Sequence, residues 1–144
     1  MTFKIALGGD HGGFKAKAFV KNLLVEQKHT LHDFGTNNED SVDYPDFVHP
    51  LAEAVEKEEF DFGILFCGSA NGVCMTANKH PNIRAAIAWN AEIAALAKQH
   101  NNANVLCIPG RFLNESELEE IINSFVNATF EGGRHQRRVD KIPC

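Results

Sequence analysis

Short apolar runs rich in strand-forming residues alternate with helical patterns along the chain, and this alternation limits the available folds more than any other feature. The runs are FKIALGG, HTLHDFG, DFGILFCG, IRAAIAW and NVLCIPG. After the first, FKAKAFVKNLLVEQ spaces apolar residues helically, with Phe14, Ala18, Leu23 and Leu24 on one face. Pro45 marks a helix start within SVDYPDFVHPLAEAVEKEE, and a short helix over GVCMTANK follows the third run. Asn90 can cap AEIAALAKQH, while Asn114 and Glu117 form a capping-box pattern at the head of ESELEEIINSFVNATF. The glycines of EGG are expected to end that helix, because glycine readily takes the left-handed conformation found there. Strands separated by helices need crossover connections. The expectation is an α/β fold, a five-stranded parallel sheet in the order 2-1-3-4-5 with helices on both faces.

A chain of 144 residues fits one domain, and no linker or repeat divides it. Residues 1–144 are read as that domain, with 132–144 a C-terminal tail. A net charge of -5 argues against a nucleic-acid partner, and no apolar run is long enough to span a membrane. The N-terminus lacks the pattern of a signal peptide, so a cytoplasmic location is expected. None of Cys67, Cys74, Cys107 and Cys144 forms a C-x-x-C pair or a zinc spacing, so neither a disulfide framework nor a metal is expected.

In such sheets ligands gather beyond the carboxyl ends of the strands at the switch in strand order. The first and third strands flank that switch, and their exits read GGDHGG and CGSANG. Cys67 would end a buried strand just before a helix N-terminus, whose partial positive charge favours thiolate over thiol and suits a base or nucleophile. An apolar strand more often carries a cysteine for packing; position at the switch point brings the two readings level. The amides of Gly68, Ser69, Ala70, Asn71 and Gly72 can converge on an anion. Asp10 can accept from a sugar hydroxyl or simply cap the next helix; His11 can contact phosphate or move a proton. His100 ends a helical pattern before a strand, where surface exposure is the ordinary outcome and acid–base chemistry the functional one. Arg134 and Arg138, four apart near His135, share a face if the tail is helical and would suit a phosphate, or form a solvated basic tail.

Taken in order, GGDHGGF, DYP, CGSANGV, ANK, IRAA, QHNNANVL, PGR and EGGRHQRRV resemble the ribose-5-phosphate isomerase type B family, which includes the galactose-6-phosphate isomerase relatives. The resemblance covers nearly the whole chain. It implies a Rossmann-like three-layer fold and cofactor-free interconversion of ribose 5-phosphate and ribulose 5-phosphate in the pentose phosphate pathway. It also implies a homodimer, sometimes within a tetramer, with sites shared between subunits. By similarity, His100 would help open the sugar ring, and Cys67 would move a proton between C1 and C2. Gly68 to Gly72 would hold the enediolate oxygens, Asp10, His11, Asn101 and Arg111 would contact substrate, and Tyr44 would line the pocket. Arg134 and Arg138 would bind phosphate. The family usually has glycine where Ala70 stands; alanine would strain the loop if that position needs a positive φ. A branch using Ser and Glu in place of Cys67 and Val73 does not match. Cys67 also weakens a galactose-6-phosphate assignment, because those isomerase subunits tend to lack the cysteine and pair with an unlike chain.

Other readings fail on spacing. A phosphorelay receiver needs aspartate where Cys67 stands, and a low-molecular-weight phosphatase needs arginine where Val73 stands. A flavodoxin-like carrier wants a hydroxyl-rich first loop, and GGDHGG does not have the G-x-G-x-x-G spacing of a dinucleotide site. The alternatives left are a hexose 6-phosphate (allose or galactose) isomerase and a non-catalytic sugar-phosphate-binding module. The second would not need Cys67 or His100.

Overall fold

A computed structural model describes all 144 residues. The strands are β1 (Lys4–Gly9), β2 (Thr30–Asp33), β3 (Phe62–Cys67), β4 (Ala85–Ile87) and β5 (Val105–Pro109). The helices are α1 (Phe14–Glu26), α2 (Pro45–Glu56), α3 (Asn71–Ala77), α4 (Ala91–Asn101), α5 (Glu115–Asn127) and α6 (Arg134–Val139). Single 3-10 turns at His11–Gly13 and Gly110–Phe112 follow β1 and β5. All strand pairs are parallel. No helix is long and apolar enough to cross a membrane.

The sheet order is β2-β1-β3-β5-β4, which corrects the expected 2-1-3-4-5 at its last two positions. Burial explains the exchange. Every residue of β5 is buried, as an interior strand requires, whereas β4 has three half-buried residues and takes the edge. The switch between β1 and β3 is unchanged.

Side-chain alternation along β3 builds two cores. Phe62, Ile64 and Phe66 face α1, α4 and α5, packing with Val20, Leu24, Ala94, Ile121 and Phe125. Leu65 and Cys67 face α2 and α3, packing with Val48, Leu51, Val73 and Ala77. Asn90 caps α4 through the Ile93 N–H, and Asn114 and Glu117 complete the capping box of α5, as the sequence indicates. EGG does not end α5. That helix stops at Asn127 with Ala128 extended, and Gly132 and Gly133 use their positive φ of 67° and 55° to start α6.

The buried face of α1 is Ala16, Lys17, Val20 and Leu24; of the expected face Leu24 is buried and Leu23 packs against the core, whereas Ala18 is exposed. Lys17 tolerates burial because Nζ donates to Asp33 Oδ1 at 2.7 Å and to the Thr36 carbonyl at 2.5 Å. Burial alone would raise the Asp33 pKa, but Lys17 and the Gly35 N–H hold this carboxyl below its ordinary value. This brace fixes the segment running from β2 toward Tyr44.

Candidate active site

Gly9 pairs with Phe66, so the carboxyl ends of β1 and β3 lie side by side. A Cβ on Gly9 or Gly13 would collide with the Phe66 backbone; only glycine lets the turn press so close. Asp10 Oδ1 accepts from the Gly12 N–H at 2.9 Å, so the capping role is present and one carboxylate oxygen remains for a ligand. His11 Nδ1 accepts from the Val42 N–H at 3.2 Å, which places the proton of the neutral ring on Nε2.

Cys67 ends β3, 6% exposed, and its Sγ accepts from the Ala70 N–H at 3.0 Å. The expectation of a stabilised thiolate is corrected here. Burial is the dominant influence and raises the thiol pKa; the amides of Val73, Ala70 and Ser69 pull it down, and the Asp10 charge pushes it up again. The net direction is upward, because a three-residue cradle of amides does not offset removal of the sulfur from water. Ala70 sits at φ 67°, a left-handed conformation that costs an alanine about 1 kcal/mol, yet its N–H still reaches the sulfur.

Arg111 donates its N–H to the Gly68 carbonyl at 3.2 Å, and its side chain lies over that glycine, where a Cβ would meet Nη1 at 3.1 Å. The Tyr44 ring covers Gly72 more closely still, where a Cβ would collide with it. The Ser69 hydroxyl accepts from the Asn71 N–H at 3.3 Å, which shapes the loop. A polar cleft of about 300 Å³ opens between His11, Gly12, Lys15, Glu39 and Arg111. Lys15 and Glu39 went unnoticed in the sequence, where exposed charges on a helix and a loop carry no distinguishing signal. The thiol, the amide loop, Asp10, His11, Tyr44 and Arg111 therefore form one group.

His100, Asn101, Arg134 and Arg138 form another, at the opposite end of the sheet. His100 and Asn101 close α4, just before β5 begins, and the Asn104 N–H there donates to the Arg84 carbonyl preceding β4. Cys67 pairs with Pro109, the last residue of β5. The five residues of β5 alone separate the two groups by roughly 13 Å along the strand. α6 docks on the end of α4, with the His135 and His100 rings stacked 4.2 Å apart. Arg134 and Arg138 stay exposed on one helical face. Burial, with His100 and Arg134 nearby, holds the His135 imidazole below its ordinary pKa. The larger cavity, about 610 Å³, lies here too, between Arg84, Asn101, Val139 and Ile142, and does not reach Cys67. Sequence reasoning missed Glu131, which faces both imidazoles; its place inside EGG drew attention to the glycines instead.

Residues 5–142 match the family model described as ribose/galactose isomerase. A probable ribose-5-phosphate isomerase B of Mycoplasma genitalium is 46% identical over 144 residues, covering 99% of this chain and 95% of its own. Among solved structures, a ribose 5-phosphate isomerase from Thermotoga maritima superposes with a TM-score of 0.96 at 42% identity, over 98% of this chain and 97% of that one. Ribose-5-phosphate isomerase B from Mycoplasma genitalium, with bound ribulose-5-phosphate, gives 0.92 at 45% identity, over 96% and 93%.

Proposed function

The chain belongs to the ribose/galactose isomerase family, and from that membership we propose that it interconverts D-ribose 5-phosphate and D-ribulose 5-phosphate at a site shared by two copies of itself. The observation that carries this reading is the pairing of a buried sulfur with a loop of amide donors at the switch point. An aldose gives up its C2 proton reluctantly. The step needs a base fixed beside the carbon and donors aimed at the oxygen where charge develops.

In this reading Cys67, as thiolate, takes the C2 proton, and the electron pair left behind makes the enediolate. Amides from Gly68 to Gly72 hold its oxygens while the proton is delivered to C1. A hydroxyl proton passes from O2 to O1, so the aldehyde becomes an alcohol and the alcohol a ketone with no net electron change. Asp10 and His11 orient the sugar, with Arg111 over the loop and Tyr44 against Gly72. His100, Asn101, Arg134 and Arg138 come from the second copy, because their own chain holds them at the far end of its sheet. There His100 serves ring opening, and the two arginines clamp the phosphate, away from the reacting carbons.

Cys67→Ala tests the assignment. Sugar-phosphate binding is expected to survive while ketose formation falls by at least about 100-fold, the usual scale for losing a positioned base. Equal turnover in the two proteins would reject the sulfur as base. Parallel assays with allose 6-phosphate and galactose 6-phosphate define how far the pocket extends.

A further inference from the structure

Glu131 Oε1 lies 3.7 Å from Nε2 of His100 and 3.5 Å from Nε2 of His135. The His135 nitrogen is buried without a hydrogen-bond partner. Two histidines and a carboxylate this close resemble a metal-ligand set. The ring geometry excludes it. The imidazoles stack 11° from parallel, and a nitrogen lone pair lies in its ring plane, so one ion cannot sit in both stacked planes. What the cluster does offer is a single carboxylate oxygen facing two ring N–H positions, a small side-chain rotation short of a hydrogen bond to either.

The backbone is built to keep it there. The Glu131 N–H donates to the Gln99 carbonyl at 3.0 Å, tying the residue to the end of α4. Gly132 and Gly133, both at positive φ, then reverse the chain so that His135 returns over His100. The stacked His135 ring limits how far the His100 ring can turn.

We propose that Glu131 is a positioning residue that accepts the Nε2 proton of His100 and so leaves Nδ1 unprotonated, as the base that opens the sugar ring. The inference rests on the reading of His100 as the ring-opening group. Nδ1 takes the anomeric hydroxyl proton, the C1–O4 bond breaks, O1 becomes the aldehyde oxygen, and the same proton is returned to O4. A carboxylate that selects an imidazole tautomer is a common device where a histidine must act as base.

Ribulose 5-phosphate cannot close a furanose ring, because the hydroxyl it would use carries the phosphate. Exchange of its C1 hydrogen with deuterated solvent therefore reports proton transfer without ring opening. The experiment compares wild type, Glu131→Gln, Glu131→Leu and His100→Ala in that exchange, in ketose formation from ribose 5-phosphate, and in the ¹⁵N spectrum of His100. Glu131→Leu is expected to slow ketose formation by about 10- to 100-fold, the cost of a misplaced catalytic group, with exchange unchanged. Its His100 Nδ1 signal should move from a single unprotonated form to a tautomer mixture. Glu131→Gln, which keeps size and one acceptor oxygen, should fall between. An unchanged tautomer, or equal losses in both reactions, would overturn the proposal. If His100→Ala opens rings at the wild-type rate, the ring-opening reading itself falls, while the spectrum still reports what Glu131 does to the imidazole.

Discussion

Cys67 is buried at the end of its strand, and its raised pKa sets how the proposed reaction responds to pH. Burial favours the neutral thiol, so at neutral pH only a minor fraction is the thiolate that can act as base. Ketose formation per KM should therefore climb with pH through the neutral range, by up to about tenfold per unit, and level off above the ordinary thiol pKa. A pH profile of kcat/KM, with Cys67→Ala as the background, checks this; a plateau already reached near pH 6 would show the thiolate forming far more easily than its surroundings permit. The same shift has a stability sign. The unfolded chain releases this proton at lower pH than the folded one, so the contribution is present below the unfolded thiol pKa and lost as pH rises through the folded value. The sequence placed Cys67 at the strand exit correctly, because an apolar run followed by small residues has one interpretation in an alternating chain. It did not settle the net shift: the helix-end amides do pull the thiol pKa down, but burial outweighs them. Whether burial or amides win depends on α2 and α3 closing over the sulfur, which no local pattern records. Lys17 was obscured for a similar reason: its burial follows from Asp33 and Thr36, distant in sequence.

The elements were legible wherever a local rule acts alone. The caps at Asn90 and Asn114 follow from a side chain and an amide three residues on, and both are present. Strand order was not legible at the edge, because IRAAIAW is as apolar as NVLCIPG, and only the three-residue pairing of β4 reveals the weaker partner. The two glycines before α6 were recognised as left-handed positions but attached to the wrong helix. Their actual work makes a prediction about the tail. Gly133 has φ 55° and ψ -130°, a conformation costing a side-chain-bearing residue on the order of 1–3 kcal/mol. α6 is a short helix docked at the surface, and such a segment escapes strain by undocking rather than by unfolding the domain. Gly133→Ala should therefore leave the melting temperature nearly unchanged while lowering ketose formation, because Arg134, His135 and Arg138 lose their place together. Calorimetry and a steady-state assay on the same preparation separate the two effects.

At the scale of the molecule, the fold divides the expected site into two halves that one chain cannot join. Crossover helices run against the strands, so α4 delivers His100 and Asn101 to the amino end of the sheet while β3 delivers Cys67 to the carboxyl end. The sequence named the residues of both halves, through resemblance, but spacing alone could not show which end each would occupy. The homodimer proposed above would resolve the division, since a twofold axis would bring the carboxyl-end group of each copy to the amino-end group of the other and complete two sites at once. Cys67→Ala and Arg134→Ala then damage different halves. When equal amounts of the two inactive proteins are dissociated and reassociated, half of the dimers are hybrids. Each hybrid has one site with both lesions and one with neither. Activity should return to about one quarter of wild type, set by random pairing in a closed twofold dimer. Native mass spectrometry gives the hybrid fraction and the assay gives the activity. Hybrids present at the expected fraction but inactive would mean that sulfur and arginine serve the same site from one chain, in a geometry this sheet does not allow.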